Sequence, residues 1–200
     1  MTKNDPLFET TIEDEQGASK SEQLIDAARR NNTDLLNDII QSVPDPEELA
    51  RLLNNTKTPL GSHIYHEAAA NGNYEVIDIL LDQEGFECDP KTRVEGDTPL
   101  HSAVRYFNQL PKPLHPNAVT FAHELIFMMI ESGSDPRVKN KAKLTPYQLA
   151  DPQNEDIRRI IQDAMDAEQM KGDFVMEDES AAGEGENSGP GSASESENET

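Results

Sequence analysis

Tryptophan is absent from the 200 residues, cysteine occurs once, and the longest apolar run, Leu125–Ile130, is far short of the roughly 20 residues a membrane helix needs. The lone thiol of Cys88 excludes an internal disulfide and any multi-cysteine metal site. Cations are scarce, with 17 Lys and Arg against 39 Asp and Glu for a net charge of −22. A chain so acidic lacks the positive stripe that nucleic acid or an anionic membrane requires, so neither is an expected partner. Basic proteins, or neutral ones met on a local patch, are favoured instead. The hydrophobic fraction is 34%, below the roughly 45–50% of an average globular chain, so part of the sequence is expected to stay unfolded. Met1–Lys20 is acidic and holds no signal-peptide core, which predicts a cytoplasmic or nuclear protein. No phosphate-cradling glycine loop, dinucleotide fingerprint or nucleophile-plus-base motif is present, and the expectation is a non-enzyme without cofactor or metal.

What is present is an internal repeat. One unit reads Gly96-Asp97-Thr98-Pro99-Leu100-His101-Ser102-Ala103, and a second, about 35 residues upstream, reads Gly61-Ser62-His63-Ile64-Tyr65-His66-Glu67-Ala68-Ala69-Ala70-Asn71-Gly72 and runs on into Tyr74–Leu81. A degenerate copy aligns Ala28–Ile40 with Ala69–Leu81, and a fourth begins at Leu144-Thr145-Pro146-Tyr147-Gln148-Leu149-Ala150. The Thr-Pro-Leu-His-x-Ala signature, Thr98 to Ala103, resembles that of the ankyrin-repeat family. That resemblance implies an all-α solenoid of about four stacked helix-turn-helix repeats joined by short hairpin fingers.

The motif has a physical logic of its own. Thr-Pro opens a helix, because a hydroxyl caps free N–H groups and proline's fixed φ suits the first turn. Gly72 supplies a left-handed turn out of the first helix. Val76, Ile77, Leu80 and Leu81, like Leu125, Ile126, Met129 and Ile130, then recur at helical spacing. A helix pair this small cannot bury its apolar stripe alone, so neighbours must stack and the end repeats must turn polar sides outward. The expected layout is an acidic, disordered segment 1–20, repeats at 21–57, 58–94, 95–142 and 143–170, and a disordered acidic tail 171–200 rich in Gly, Ser and Glu. An insertion, 107–116, carries Pro111, Pro113 and Pro116 and must leave the helix as a loop. It is either a spacer or a recognition loop with Phe107 and Leu110 as apolar anchors.

His63, His66 and His101 have the composition of a zinc site, but the bonding role of the register histidines favours structure for His66 and His101 and leaves His63 as the loose candidate. Cys88 lacks a basic neighbour close enough in sequence to make it a thiolate and reads as a buried or idle thiol. Bases gather in the joining segments: Lys91, Arg93, Arg137, Lys139, Lys141 and Lys143. By the family resemblance, partner contacts are expected at Arg93, Glu95, Ser102, Arg105, Tyr106, Arg137, Lys139 and Lys141, on fingers and first helices facing a monomer's concave side. An acidic segment would suit them, and the protein's own tail is one such segment. Ser192, Ser194 and Ser196 each precede a glutamate by three residues and are candidate phosphorylation sites. The first function is therefore protein–protein interaction with a partner not encoded in the sequence. The layout of a few repeats plus an acidic tail is also similar to small fungal members of the family, which implies the alternative of an escort for a basic client such as a ribosomal protein.

Overall fold

The computed structural model describes residues 18–174. Segments 1–17 and 175–200, the latter with Ser192, Ser194 and Ser196, lie outside the described residues; at the edges of the segments expected to be disordered, Lys20 and 171–174 are helical. Within them the chain is helical, apart from one isolated antiparallel bridge between Lys57 and His63. The helices are α1 (Lys20–Arg30), α2 (Thr33–Gln41), α3 (Pro46–Asn55), α4 (Ile64–Asn71), α5 (Tyr74–Leu81), α6 (Pro99–Gln109), α7 (Pro116–Glu131), α8 (Pro146–Leu149) and α9 (Glu155–Phe174). Four pairs result: α1/α2, α4/α5, α6/α7 and α8/α9. First helices stack in the order α1, α4, α6, α8, and second helices in the order α2, α5, α7, α9.

Local chemistry fixes the turns within the first two pairs. α4 ends on Gly72 at φ 66°, and α1 ends on Asn31 at φ 54°. Asparagine is among the few residues that tolerate this left-handed conformation, so the degenerate first repeat makes the same turn without glycine. The turns also tie the two pairs together. Asn31 donates to Glu75 Oε2 at 2.5 Å and accepts from the Val76 N–H at 3.3 Å, while Asn73 donates to the Ala28 carbonyl at 2.7 Å.

The proline-rich insertion begins later than the expected 107–116. α6 continues to Gln109, because the first proline is Pro111 and its ring forces only Leu110 out of the helical region, to ψ 150°. Phe107, an expected anchor for a visitor, is fully buried between Tyr106 and Phe121, with ring centroids 5.1 and 6.0 Å away. The loop itself is held down: Lys112 pairs with Asp151, Leu114 is buried, and Asn108 bonds the Leu149 carbonyl and the Asp151 N–H. It braces the third pair against the turn before α9.

Helix α3 has no counterpart in the expected repeat 21–57. Asp45 caps it through the Glu47 N–H at 2.9 Å, Pro46 occupies its first turn, and Leu49 and Leu53 are its buried residues. Asn54 then bonds the Gly85 carbonyl at 2.8 Å and the Glu87 N–H at 3.0 Å, fixing α3 beside the loop after α5.

One apolar core runs the length of the stack, from Leu24 and Leu36 through Ile64, Ile77, Leu100 and Leu125 to Ile157 and Ile161. Each such side chain contributes roughly 1.5–3 kcal/mol by leaving water, and only because an adjacent pair covers it. At the C-terminal end α9 turns Arg159, Gln162, Asp163 and Asp166 to solvent. None of the described helices is long and apolar enough to cross a membrane.

Candidate partner-binding face

Three tight fingers project where one pair passes to the next. Each turns on a residue at positive φ, namely Gly61 (85°), Gly96 (68°) and Lys143 (64°). Adjacent fingers are joined by single backbone bonds, Arg93 N–H to the Gly61 carbonyl at 3.2 Å and Lys141 N–H to the Glu95 carbonyl at 2.9 Å. Side chains reinforce the joins. The Arg93 guanidinium donates to the Pro59 carbonyl at 3.1 Å, and Lys141 Nζ donates to the Arg93 carbonyl. Room for these cations comes from glycine: a Cβ on Gly61 would lie 2.5 Å from Arg93 Cβ, and one on Gly96 would lie 2.9 Å from Lys141 Cγ.

Beneath the fingers lies a buried polar network. The carbonyl of Asp97 accepts from His66 Nε2 at 2.8 Å, and its carboxylate accepts from Arg105 Nε at 2.6 Å and Asn140 Nδ2 at 2.8 Å. Asp97 thereby binds the second pair, the third pair and the third finger through one residue that is 3% exposed. His101 repeats the histidine part, with Nε2 bonding the Leu144 carbonyl at 3.0 Å. Its Nδ1 accepts from the N–H and the hydroxyl of Thr98, at 3.2 and 2.8 Å. Thr98 and His101 thus form a capping box at the start of α6, as Thr145 and Gln148 do at the start of α8, where Thr145 Oγ1 accepts from the Gln148 N–H at 3.3 Å. Both nitrogens of His66 are occupied, since its Nδ1 accepts from the His63 N–H at 3.2 Å, and His63 Nδ1 meets the Asn54 carbonyl at 2.9 Å. Among the described residues no three His, Cys, Asp or Glu side chains converge as metal ligands. Cys88 is half-buried and donates to the Ser132 carbonyl at 3.1 Å. Burial, then the charge of Asp89, pushes its thiol up and away from the reactive thiolate.

Several of the eight expected contact residues are engaged within the chain itself. Arg93, Glu95 and Lys141 meet on adjoining fingers, the two cations engaged as stitches. Arg105 is 45% exposed and pairs with Asp97. Tyr106 lies against the Gly72 backbone, where a Cβ would sit 2.7 Å from its ring. Ser102 is only 8% exposed and offers a partner little surface. Arg137 bonds Asp135 and, with Lys139, lines a hollow of about 300 Å³ floored by Tyr147 and Met165. A larger hollow of about 490 Å³ lies between the first finger and α1, bordered by Glu22, Ile25, Asp26, Arg29, Lys57 and Pro59. No sequence motif marks it, since the degenerate first repeat lacks the Thr-Pro-Leu-His signature.

The buried histidines make stability depend on pH. Burial holds His66 down at about 4 from 6.5, and His101 is lowered for the same reason. Between those values the unfolded chain binds a proton that the native state refuses. The contribution is complete above pH 6.5 and is lost as pH falls toward 4, about 3 kcal/mol for His66 at most. Asp89, raised by burial, works in the opposite direction. Urea titrations at pH 7 and pH 4.5 should show the native chain losing stability steeply and a His66→Asn variant, weaker at neutral pH, losing it on a shallower slope. Parallel slopes would contradict this assignment.

Comparison with known sequences agrees with the stacked pairs and fingers. The sequence model for ankyrin repeats in three copies matches residues 24–119. An ankyrin repeat-containing protein of Saccharomyces cerevisiae is 46% identical over 136 residues, covering 67% of this chain and 71% of that relative. Repeat signature, helix pairing and relative all agree: the chain belongs to the ankyrin-repeat family.

Proposed function

We propose that this protein is a binding module that captures another protein between its fingers and its first helices. The observation that carries the reading is the pair of open hollows at the two ends of the finger row, one between the first finger and α1, the other between the third finger and α8/α9. Both mix cations with aliphatic or aromatic surface. Leu60 and Val94 add exposed apolar tips, 70% and 57% accessible. Such a face has the character of an interaction surface: apolar anchors amid polar groups on a rigid frame. An Arg137→Glu/Lys139→Glu double variant should bind the partner recovered with the full-length protein at least tenfold more weakly, with a melting temperature within about 2 °C of the parent. Unchanged capture would remove the third finger from the site.

A second reading, an escort for a basic client, draws on the opposite face. Asp34, Asp38, Glu47, Glu48, Asp78 and Glu84 are all exposed on and beside α2, α3 and α5. No ion pair within the described chain engages them, so they are available to a client's lysines and arginines. Suppression of a basic protein's aggregation at low salt, lost at high salt and on neutralising these carboxylates, would support the escort; suppression that survives both would argue against it.

A further inference from the structure

The three fingers close with the same pair of hydrogen bonds. Thr58, Thr92 and Asn140 donate their N–H groups to Ser62, Asp97 and Leu144 carbonyls at 2.8, 2.9 and 3.0 Å. Their own carbonyls accept from the positive-φ residues Gly61, Gly96 and Lys143 at 2.8, 3.1 and 3.0 Å. This register reveals an equivalence that the raw sequence hides behind fingers of unequal length. The residue just before the closing Thr, Thr or Asn is a lysine every time: Lys57, Lys91 and Lys139, all exposed. In a chain with 39 acidic residues to 17 basic ones, a cation kept at three equivalent positions stands against the composition. Arg93 and Lys141, the neighbouring tip cations, are used to stitch fingers together. Lys91 Nζ reaches forward to the Lys139 carbonyl at 3.4 Å, which occupies one of its three protons and leaves two for a visitor.

We propose that Lys57, Lys91 and Lys139 form a one-per-finger ladder that receives an extended acidic peptide in the polyproline II conformation, with carboxylates at every third residue. This rests on the fingers being the partner-binding face. The spacing follows from two independent constraints. Helices packed side by side lie about 8–10 Å apart. A finger made of two paired segments, each about 4.8 Å wide, also repeats at about 10 Å. A polyproline II helix has three residues per turn and rises about 3.1 Å per residue, so side chains three apart share a face and lie about 9 Å from one another. A β-strand fails the test, because residues three apart point to opposite faces. The protein's own tail is a poor match, since Glu184 and Glu186, like Glu195, Glu197 and Glu199, recur every second residue.

The test compares two labelled heptapeptides of identical composition, Glu-Pro-Pro-Glu-Pro-Pro-Glu and Glu-Pro-Glu-Pro-Glu-Pro-Pro, by fluorescence anisotropy with the full-length protein at low ionic strength. The first should bind at least about threefold more tightly. Lys57→Glu, Lys91→Glu and Lys139→Glu should each weaken it by roughly fivefold, as expected for reversal of a surface charge pair. Lys143→Glu, an equal charge change in the third finger but off the ladder, should alter binding by less than about twofold. Equal affinity for the two peptides, an equal effect of Lys143→Glu, or no binding of either would overturn the ladder. None of these results touches the binding-module reading, which falls instead if partner capture survives the finger reversals.

Discussion

Asp97→Ala is expected to destabilise the array by about 3 kcal/mol, a large loss for one exchange that removes no apolar side chain. The carboxylate is buried and accepts from Arg105 and Asn140, and bonds to a charged acceptor are worth roughly 1.5–3 kcal/mol each. Removing it leaves the buried Asn140 amide without that acceptor, while Asn140 Oδ1 still holds the Leu144 N–H at 3.0 Å. The third finger and the α8/α9 pair should therefore loosen first. Thermal unfolding should broaden and its midpoint fall by about 6–12 °C. Asp97→Asn, which keeps one carbonyl acceptor, should recover about half of the loss. A midpoint unchanged in Asp97→Ala would show that the network is not what couples these repeats.

Gly72→Val should be comparably severe. At φ 66° a β-branched residue is strained by roughly 1–2 kcal/mol, and the new Cβ would stand 2.7 Å from the Tyr106 ring. Overpacking of that kind adds about 1–3 kcal/mol. The two causes are separable. In a Tyr106→Ala background the clash disappears while the backbone strain remains, so Gly72→Ala should cost less there than in the parent. Equal costs in both backgrounds would mean that the ring does not rest on this turn. Asn31 shows that a side chain at the corresponding turn is acceptable where no aromatic ring closes over it.

The stacked-pair architecture was legible because each repeat states it locally. Thr98-Pro99 and Thr145-Pro146 mark helix starts, Gly72 marks a turn, and Val76, Ile77, Leu80 and Leu81 carry the helical period. Helix α3 was less legible, since a sequence aligned to a repeat template absorbs Asp45–Asn55 into the connection, although Asp-Pro followed by glutamates and spaced leucines is a helix start in its own right. The insertion starts three residues later than its prolines suggest, because the steric effect of Pro111 reaches back only to Leu110. Of the candidate site, the basic character of the fingers was visible, but its division of labour was not. Charge alone cannot tell Arg93 and Lys141, which bond the preceding finger, from Lys57, Lys91 and Lys139, which stand at one register position. Asp97 escaped notice for a related reason: its role lies in three partners distant in sequence, His66, Arg105 and Asn140.

Hydrogen exchange of the full-length protein with and without the partner it recovers on affinity purification tests the central claim most directly. Capture at the fingers predicts added protection in 57–62, 91–97 and 139–144 and along α1, α4 and α6, with α2, α5 and α7 unchanged. Protection confined to α2, α3 and α5 would contradict it and move the binding site to the acidic back of the array.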